Sequence, residues 1–153
     1  MEIVLQQNFV AIWHHFLSFE ISRSKFAVDT WGSGNAYLVF QVIACHHNLV
    51  MSDQAESKIR DEAVELWFQL TKTGFKTRSV LTYTLISSLT SLSIETVRRH
   101  VKKLKVNNWV SYSKKEGVKF SPSDENNKFL ADVFNVKEVE DLGRLLDIIE
   151  KQK

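Results

Sequence analysis

Four cationic side chains lie close together near the middle of the chain: Arg98, Arg99, Lys102 and Lys103. Guanidinium and ammonium groups neutralise phosphates, and arginine can also pair with the edge of a guanine base. Three apolar residues interleave with them at i, i+4 and i+7: Val97, Val101 and Leu104. This spacing predicts a helix with one buried side. A rotation of about 100° per residue turns the cations on or near the opposite side, with Arg98 on its flank. Such a helix suits the DNA major groove.

The residues before this helix predict a shorter helix and a tight turn. Ile86, Leu89 and Leu92 give that first helix and the turn an apolar side. Ser93 is suited to cap the second helix, because its hydroxyl can accept a hydrogen bond from a backbone N–H of the first turn. The segment 86–110 therefore indicates two short helices joined by a turn.

The same segment resembles the helix-turn-helix of winged-helix transcriptional regulators, in the broad group that includes the MarR-like repressors. Ten residues match the run that is typical of the family: Ile86, Leu89, Leu92, Ser93, Thr96, Val97, Arg99, Val101, Leu104 and Val110. Ser87 stands where alanine is usual, and Ser91 and Asn108 stand where glycine is usual. Asparagine accepts a positive φ better than most residues. The resemblance implies a mainly α-helical winged helix-turn-helix that binds double-stranded DNA and regulates transcription.

A β-hairpin is predicted after the cationic helix. Residues 109–113 and 118–121 alternate in polarity on either side of Lys114-Lys115-Glu116-Gly117, and the glycine favours a turn. In the resembled family this hairpin is the wing, which lies along the DNA backbone or in the minor groove. The resemblance therefore implies that Lys114, Lys115 and Lys119 contact phosphates. The Asp-x-Arg element usual in MarR-like wings is absent from the sequence.

The predicted DNA-binding residues lie on the second helix, its cap and the hairpin: Ser93, Glu95, Thr96, Arg98, Arg99, Lys102, Lys103, Lys114, Lys115 and Lys119. Arg99 is the strongest single candidate, because it matches the family's arginine and faces away from the buried side. Periodicity leaves open whether Arg98 or Arg99 reads a base. Glu95 either accepts a hydrogen bond from a cytosine amino group or orients Arg99.

The charge distribution points to the same region. Residues 72–119 contain 11 Lys and Arg against 2 Asp and Glu, whereas the rest of the chain contains 9 against 16. The net charge of +2 hides this polarity. Because the cations coincide with the helix and the hairpin, they favour a polyanion-binding surface over a merely solvated one.

Length and composition predict one domain over residues 1–153, since 153 residues with 44% hydrophobic content can bury a sizeable core. Within it we distinguish an N-terminal helical part (1–75), the helix-turn-helix and wing (76–123) and C-terminal helices (124–153). No stretch approaches the ~18 apolar residues of a membrane-spanning helix, and the start lacks the features of a signal peptide. A single cysteine excludes an internal disulfide and fits the cytoplasm.

In the N-terminal part, apolar spacing and glycines predict three helices, a break and a loop. They are a helix over 6–28, a break at 31–35 with Asn35 as an N-cap, a buried helix over 36–48, a loop around 51–54, and an amphipathic helix over 59–70 that ends at Thr73-Gly74. The composition of 36–48 would also permit a buried strand. Either 36–48 or 57–72 could be the helix that directly precedes the helix-turn-helix; in the first case 57–72 is an insertion.

After the hairpin, Ser123 is suited to cap a helix that starts with Asp124 and Glu125. A later apolar stripe consists of Val139, Leu142, Leu145, Leu146 and Ile149. Such a helix can fold back onto its own core or pair with a second copy. In the resembled regulators, N- and C-terminal helices build a two-fold dimer with recognition helices about 34 Å apart. We therefore expect a homodimer.

Other chemistry finds little support in the sequence. The adjacent histidines of His14-His15 and Cys45-His46-His47 point about 100° apart on a helix, so neither pair chelates one ion well; we expect them at the edge of an aromatic core. Cys45 is expected to be inert filler in a buried helix. The tryptophans of the N-terminal part, Trp13, Trp31 and Trp67, favour core packing over a pocket for a small-molecule effector.

No nucleotide-binding loop, metalloprotease motif or nucleophile elbow occurs in the sequence. We therefore predict no enzyme, no cofactor and no metal site. Two rival functions remain open beside the transcriptional regulator. One is a winged helix that binds an acidic protein partner, and the other is a plasmid or phage replication or partition factor that binds DNA.

Overall fold

The computed structural model describes residues 2–55, 59–73 and 80–152. These ranges contain eight α-helices and one pair of strands, in the order α1 (Glu2–Gln7), α2 (Phe9–Trp31), α3 (Gly34–Ala55), α4 (Arg60–Thr73), α5 (Tyr83–Thr90), α6 (Ile94–Val106), β1 (Val110–Ser113), β2 (Gly117–Phe120), α7 (Asp124–Phe129) and α8 (Asn135–Glu150). A π-helical turn, Leu130–Phe134, joins α7 to α8. The prediction of a mainly α-helical fold with a small hairpin is confirmed. None of the described helices has the length and apolar character needed to cross a lipid bilayer.

The predicted break between the first two long helices is present. Gly32 adopts a φ of 83° and donates its N–H to the carbonyl of Val28 at 2.7 Å, which ends α2. The hydroxyl oxygen of Ser33 accepts a hydrogen bond from the amide nitrogen of Ala36 at 3.1 Å. The prediction of Asn35 as N-cap is therefore wrong, because Asn35 already lies in the first turn of α3.

Helix α3 is longer than predicted and includes the residues expected to form a loop, 51–54. No glycine or proline interrupts that stretch, and the side chain of Met51 is buried. Helix α3 packs on α5, α6 and β2, whereas the main contact of α4 is with α3. Of the two alternatives for the helix that packs on the helix pair α5–α6, the contacts favour the one that contains residues 36–48, which is α3.

An aromatic cluster holds these elements together. The indole of Trp31 stacks on Phe40 with ring centroids 4.4 Å apart, and it contacts Phe134 at 5.0 Å and Trp109 at 5.6 Å. Phe120 of β2 contacts Phe40 at 6.0 Å. The rings come from α2, α3, the hairpin and the π-helical turn, so the cluster fixes the hairpin against helices from both ends of the chain. Burying each ring stabilises the fold by about 1.5–3 kcal/mol.

Several residues assigned to the interior lie on the surface instead. The side chains of Trp13 and Leu89 are 46% and 61% exposed. Cys45, expected to be filler in a buried helix, is exposed, and so are His14 and His15, which were expected beside the aromatic core. Helical periodicity identifies an apolar side, but it does not reveal whether another element covers that side.

The C-terminal helices form one continuous segment, because the π-helical turn keeps right-handed helical geometry between α7 and α8. Ser123 caps the segment as predicted, and its hydroxyl oxygen accepts a hydrogen bond from the amide nitrogen of Asn126 at 3.2 Å. The side-chain amide of Asn126 also donates to the carbonyls of Asn107 and Asn108, at 2.8 and 3.0 Å. The start of this segment is therefore anchored to the end of α6.

Helix α8 packs on α2 but leaves most of its apolar stripe uncovered. Leu145 is buried, and two turns earlier Glu138 accepts a hydrogen bond from Arg23 of α2 at 2.6 Å. Three members of the predicted stripe remain about half exposed: Val139, Leu142 and Leu146. The stripe is thus only partly used within one chain.

Candidate nucleic-acid interface

Small hydroxyl residues build the turn between α5 and α6. Thr82 caps α5, because its hydroxyl oxygen accepts a hydrogen bond from the amide nitrogen of Leu85 at 3.1 Å. Ser91, directly after α5, adopts the left-handed conformation with a φ of 57°. The hydroxyl of Ser87 donates to the carbonyl of Leu92 at 2.6 Å and closes the turn. These bonds fix the direction in which α6 leaves α5.

Helix α6 begins at the predicted cap. The hydroxyl oxygen of Ser93 accepts a hydrogen bond from the amide nitrogen of Thr96 at 3.1 Å, and the same hydroxyl donates to the side-chain oxygen of Thr96 at 2.9 Å. Sequence reasoning assigned both residues to the DNA contact. The structure gives them a capping role at the start of α6, with Ser93 exposed and Thr96 half-buried.

One side of α6 is buried, and it consists of Val97, His100, Val101 and Leu104. The apolar stripe predicted at i, i+4 and i+7 is therefore confirmed, with His100 added to it. Burial, followed by the nearby charges of Arg99 and Lys103, lowers the pKa of the His100 imidazole. His100 is thus a neutral part of the core and does not add to the positive charge of the helix.

The opposite side of α6 carries cations without internal partners. Arg99, Lys102 and Lys103 are exposed, and none of them forms an ion pair or a side-chain hydrogen bond within the described part of the chain. Their positive charges remain available to an external anion. The structure therefore places three of the predicted contact residues together on one accessible helix side.

Glu95 and Arg98 are paired with each other. Nη1 of Arg98 donates to Oε2 of Glu95 at 2.9 Å, one helical turn apart. The alternative in which Glu95 orients Arg99 is therefore wrong. The Arg98 and Glu95 side chains are 57% and 79% exposed, so the pair contributes little to stability. Its consequence is geometric, because it restricts where the guanidinium of Arg98 lies.

Two tyrosines near Arg98 were missed by sequence reasoning. The guanidinium carbon of Arg98 lies 5.8 Å from the centroid of the Tyr83 ring, at the start of α5. Tyr112 of β1 stacks on Tyr83 with centroids 4.7 Å apart and an interplanar angle of 24°. Burial, followed by the proximity of Tyr112, raises the pKa of the Tyr83 hydroxyl above its ordinary value. No periodicity relates Tyr83 to Tyr112, because they meet only when the hairpin folds against α5.

The hairpin forms in the predicted region. Strands β1 and β2 are antiparallel, with Val110 opposite Phe120 and Ser113 opposite Gly117. The hydroxyl oxygen of Ser113 accepts a hydrogen bond from the amide nitrogen of Glu116 at 3.1 Å and shapes the turn. At the tip, Lys114 and Lys115 are exposed and make no ion pair or side-chain hydrogen bond with other described residues.

Lys119 differs from the two lysines at the tip. Its Nζ atom lies 2.7 Å from Oε1 of Glu116, and its side chain is only 24% exposed. The hydrogen bond and the charge of Lys119 lower the pKa of the Glu116 carboxyl. Of the three lysines predicted to contact phosphates, Lys119 is therefore the one whose charge is already compensated within the chain.

The base of the hairpin is attached to the residues before α5. The carbonyl of Leu81 accepts a hydrogen bond from the amide nitrogen of Val118 at 2.8 Å, and Leu81 forms a parallel bridge with Gly117. Gly117 adopts a φ of 69°, in the left-handed region that glycine tolerates best. The orientation of the hairpin is thus coupled to the start of α5.

Part of the basic segment lies outside the described residues. Lys76 and Arg78, the predicted helix end at Gly74 and the expected boundary between residues 75 and 76 all fall there. Lys72, which is described, lies 3.8 Å from a carboxylate oxygen of Asp124. The geometry of the candidate interface is therefore defined by α5, α6 and the hairpin.

The remaining candidate ligands do not converge. Among the described residues, no group of three or more His, Cys, Asp and Glu side chains could hold a metal ion. His47 is buried against the rings of Trp67 and Phe120, at 5.7 and 4.8 Å, and burial lowers the pKa of its imidazole to about 4. Of the three tryptophans, Trp31 belongs to the core, Trp13 is exposed, and Trp67 lines a cavity of about 410 Å³.

Comparison of the chain with known protein families, with curated proteins and with solved structures found no match. The chemistry of the α6 surface and of the hairpin is therefore the basis for a functional conclusion. That chemistry consists of free cations, a fixed arginine and a hairpin in a set orientation.

Proposed function

We propose that this chain is a sequence-specific DNA-binding transcriptional regulator. In this proposal α6 is the recognition helix and the β1–β2 hairpin is the wing. The single observation that carries the proposal is a set of unpaired cations on the exposed side of α6 and at the hairpin tip: Arg99, Lys102, Lys103, Lys114 and Lys115. Elsewhere in the described residues most Arg and Lys side chains have carboxylate partners, as in Arg23–Glu138 and Lys137–Asp141. Cations left free on one surface suit the phosphates of DNA.

Three backbone features support a winged helix-turn-helix. Ser91 and Asn108, which stand where the resembled family usually has glycine, both adopt a φ of 57°. This is the conformation for which glycine is the least strained residue. The isolated bridge between Leu81 and Gly117 attaches the hairpin to the residues directly before α5, so the hairpin is held against the helix pair.

The proposal assigns two kinds of contact. Helix α6 lies in the major groove, where an arginine can reach base edges, while Arg99 and Lys102 on its exposed side meet the phosphates along the groove. Lys103 and the tip lysines Lys114 and Lys115 neutralise phosphates on either side. Phosphate contacts position the protein and determine its salt dependence, whereas contacts with base edges determine the preferred sequence.

We also propose that the protein acts as a homodimer through its terminal helices. One exposed stripe on α2 contains Val10, Trp13, Leu17 and Ile21, and the stripe on α8 contains Val139, Leu142 and Leu146. A cavity of about 350 Å³ between α1, the start of α2 and the end of α8 is lined mainly by apolar residues such as Phe9, Trp13 and Leu145. Monomeric proteins rarely expose contiguous apolar surface of this kind. In the proposed dimer a second copy covers these stripes, and the two α6 helices enter successive major grooves of the DNA.

A protein-interaction module is the alternative from a different class. The same free cations could bind an acidic protein partner, and they would then show no preference among DNA sequences. A replication or partition factor of a plasmid or phage would bind a DNA site without regulating a gene.

The exposed free thiol of Cys45 is suited to a reducing compartment, so we assign the activity to the cytoplasm.

The decisive experiment is a selection of bound genomic fragments with the purified protein, followed by a salt titration on the enriched duplex. We expect an inverted repeat with half-sites about one helical turn apart and an affinity that falls steeply with salt. The variant Lys102→Ala/Lys103→Ala should weaken binding, whereas Lys151→Ala, on an exposed residue after α8, should not. Absence of binding at low salt would overturn the proposal in favour of the protein-interaction module.

A further inference from the structure

The two adjacent arginines of α6 are held in different ways. Arg98 is contacted on two sides, by the carboxylate of Glu95 at 2.9 Å and by the face of the Tyr83 ring at 5.8 Å. Arg99 makes no side-chain hydrogen bond or ion pair within the described part of the chain. A guanidinium that is already oriented loses less rotational freedom when it binds, and a planar fork of donors recognises a base only in one orientation. The fixed arginine is therefore better suited to discriminate between bases.

The charge of the pair leads to the same assignment. Glu95 and Arg98 together are neutral, so they add little to the non-specific attraction of phosphates. Only Nη1 of Arg98 is bonded to Glu95, and its other N–H donors stay available. Arginine donors match the O6 and N7 acceptors of guanine in the major groove. A negative carboxylate beside them also disfavours positions in which a phosphate takes the place of the base.

The aromatic contact of Arg98 with Tyr83 extends into the hairpin through a second ring, that of Tyr112. Tyr112 of β1 covers the Tyr83 ring at 4.7 Å, and β1 pairs with β2, whose first residue is bridged to Leu81. A displacement of the hairpin would therefore move the Tyr83 ring and, through it, change the position of the Arg98 guanidinium. The position of the hairpin and the orientation of Arg98 are coupled by two stacked rings.

We infer that Arg98, fixed by Glu95 and Tyr83, is the side chain that reads a guanine, and that Tyr83 and Tyr112 are positioning residues for it. The inference rests on the proposed DNA-binding function and deepens it. It assigns base discrimination to the paired arginine on the flank of α6, and it leaves the free cations Arg99, Lys102 and Lys103 to the phosphates.

The test uses the full chain and the duplex that the wild type enriches from a random-sequence library. A panel of duplexes with one base pair replaced at a time measures discrimination. The neutral pair is removed with Glu95→Ala/Arg98→Ala, which keeps the net charge. The matched control is Lys25→Ala/Asp29→Ala, which removes an exposed neutral pair on α2, outside the proposed DNA interface. Tyr83→Leu removes the aromatic face, and Tyr83→Phe keeps it.

The inference predicts that Glu95→Ala/Arg98→Ala flattens discrimination at a G·C pair by about tenfold. It also predicts that affinity for a random duplex and the salt slope stay close to the wild-type values. Tyr83→Leu should flatten discrimination at the same base pair, and it should have no further effect when Arg98 is already alanine. Tyr83→Phe and the Lys25/Asp29 control should discriminate as the wild type does.

Other results would separate failure of the inference from failure of the proposed function. If the wild type enriches a sequence but discrimination is lost with Arg99→Ala and kept without Glu95 and Arg98, the inference is wrong and the function stands. If the wild type enriches no sequence, both are overturned. A measurement without DNA is also decisive. ¹⁵N relaxation should report a more ordered Nε–Hε bond in Arg98 than in Arg99, with the difference lost in Tyr83→Leu; equal order would overturn the inference.

Discussion

Leu81 and Gly117 approach so closely that a Cβ atom added at residue 117 would lie 2.5 Å from the Leu81 carbonyl oxygen. The contact joins the residue before the cap of α5 to the first residue of β2. It attaches the hairpin to the residues directly before α5, the helix that carries Tyr83, on which Tyr112 of β1 stacks. Its removal should therefore affect both stability and DNA binding.

The first prediction concerns Gly117→Ala. The substitution adds a clash with Leu81 to the strain of a φ of 69°, so we expect a loss of about 3 kcal/mol in the free energy of unfolding. Gly32→Ala is the matched control, since Gly32 has a φ of 83° but nothing within 4 Å, and it should lose only about 1 kcal/mol. Urea denaturation measures both. Equal losses would mean that the hairpin moves to relieve the clash.

The second prediction concerns the two left-handed residues that are not glycine. Ser91→Gly should raise the free energy of unfolding by about 0.5–1 kcal/mol, because glycine adopts a φ of 57° without strain. Asn108→Gly should gain less, since asparagine tolerates this conformation. Thermal unfolding monitored by circular dichroism measures the change. A loss of stability at residue 91 would indicate that serine contributes more than its backbone conformation costs.

The third prediction concerns the salt dependence of DNA binding. Arg99→Ala and Lys102→Ala should each reduce the slope of log affinity against log salt by about 0.9, because each removes one free cation. Lys119→Ala should reduce the slope less, since Glu116 already compensates that charge at 2.7 Å. Fluorescence anisotropy at several salt concentrations gives the slopes. The same reduction for all three would mean that Lys119 exchanges Glu116 for a phosphate.

The fourth prediction concerns pH. Burial, followed by the charge of His46, lowers the pKa of the His47 imidazole from 6.5 to about 4. Above pH 6.5 the imidazole is neutral in both folded and unfolded chains, and its contribution to stability is complete. Between about pH 6.5 and 4 the unfolded chain binds a proton that the folded chain does not, so stability falls by at most about 1.4 kcal/mol per pH unit.

His47→Leu should remove this part of the pH dependence. Carboxylates titrate in both proteins, so the difference between the two stability profiles isolates His47. Urea denaturation at half-unit steps between pH 4.5 and 7 is the measurement. Parallel profiles would mean that another group causes the acid sensitivity.

The fifth prediction concerns the proposed dimer. Leu142→Glu/Leu146→Glu places charges on the exposed stripe of α8 and should shift the protein to monomers in sedimentation velocity experiments. Leu89→Glu is the control, because Leu89 is at least as exposed but lies on α5, and it should leave the dimer intact. A wild type that remains monomeric at all concentrations would contradict the proposed assembly.

Local patterns in the sequence predicted the local structure of the interface. The caps at Ser93 and Ser123, the buried stripe of α6 and the position of the hairpin are confirmed, because each depends on residues that are neighbours along the chain. The extent of α3 was not predicted: a loop was expected at 51–54, but α3 continues to Ala55 and the side chain of Met51 is buried.

Contacts between residues that are distant along the chain could not be predicted from local sequence patterns. Leu89 and Trp13 occupy apolar positions of their helices, yet their side chains remain 61% and 46% exposed. Glu95 could have paired with Arg98 or with Arg99, which are one turn away in either case, and rotamers rather than spacing decide between them. The stack of Tyr112 on Tyr83 depends on how the hairpin docks, which no single helix or strand encodes.

The continuous helical segment from Asp124 to Glu150 fixes the distance between the end of α6 and the N-terminal helices. Asn126 at its start donates to the carbonyls of Asn107 and Asn108, directly after α6, and its far end lies beside α1 and the beginning of α2. Its length of about 40 Å follows from the rise per residue of a hydrogen-bonded helix and not from a loop. In the proposed dimer, the distance between the two α6 helices would therefore be fixed, and so would the spacing of the DNA half-sites that they bind. Five additional base pairs between the half-sites turn one of them to the far side of the duplex, and such a site would hold only one subunit at a time.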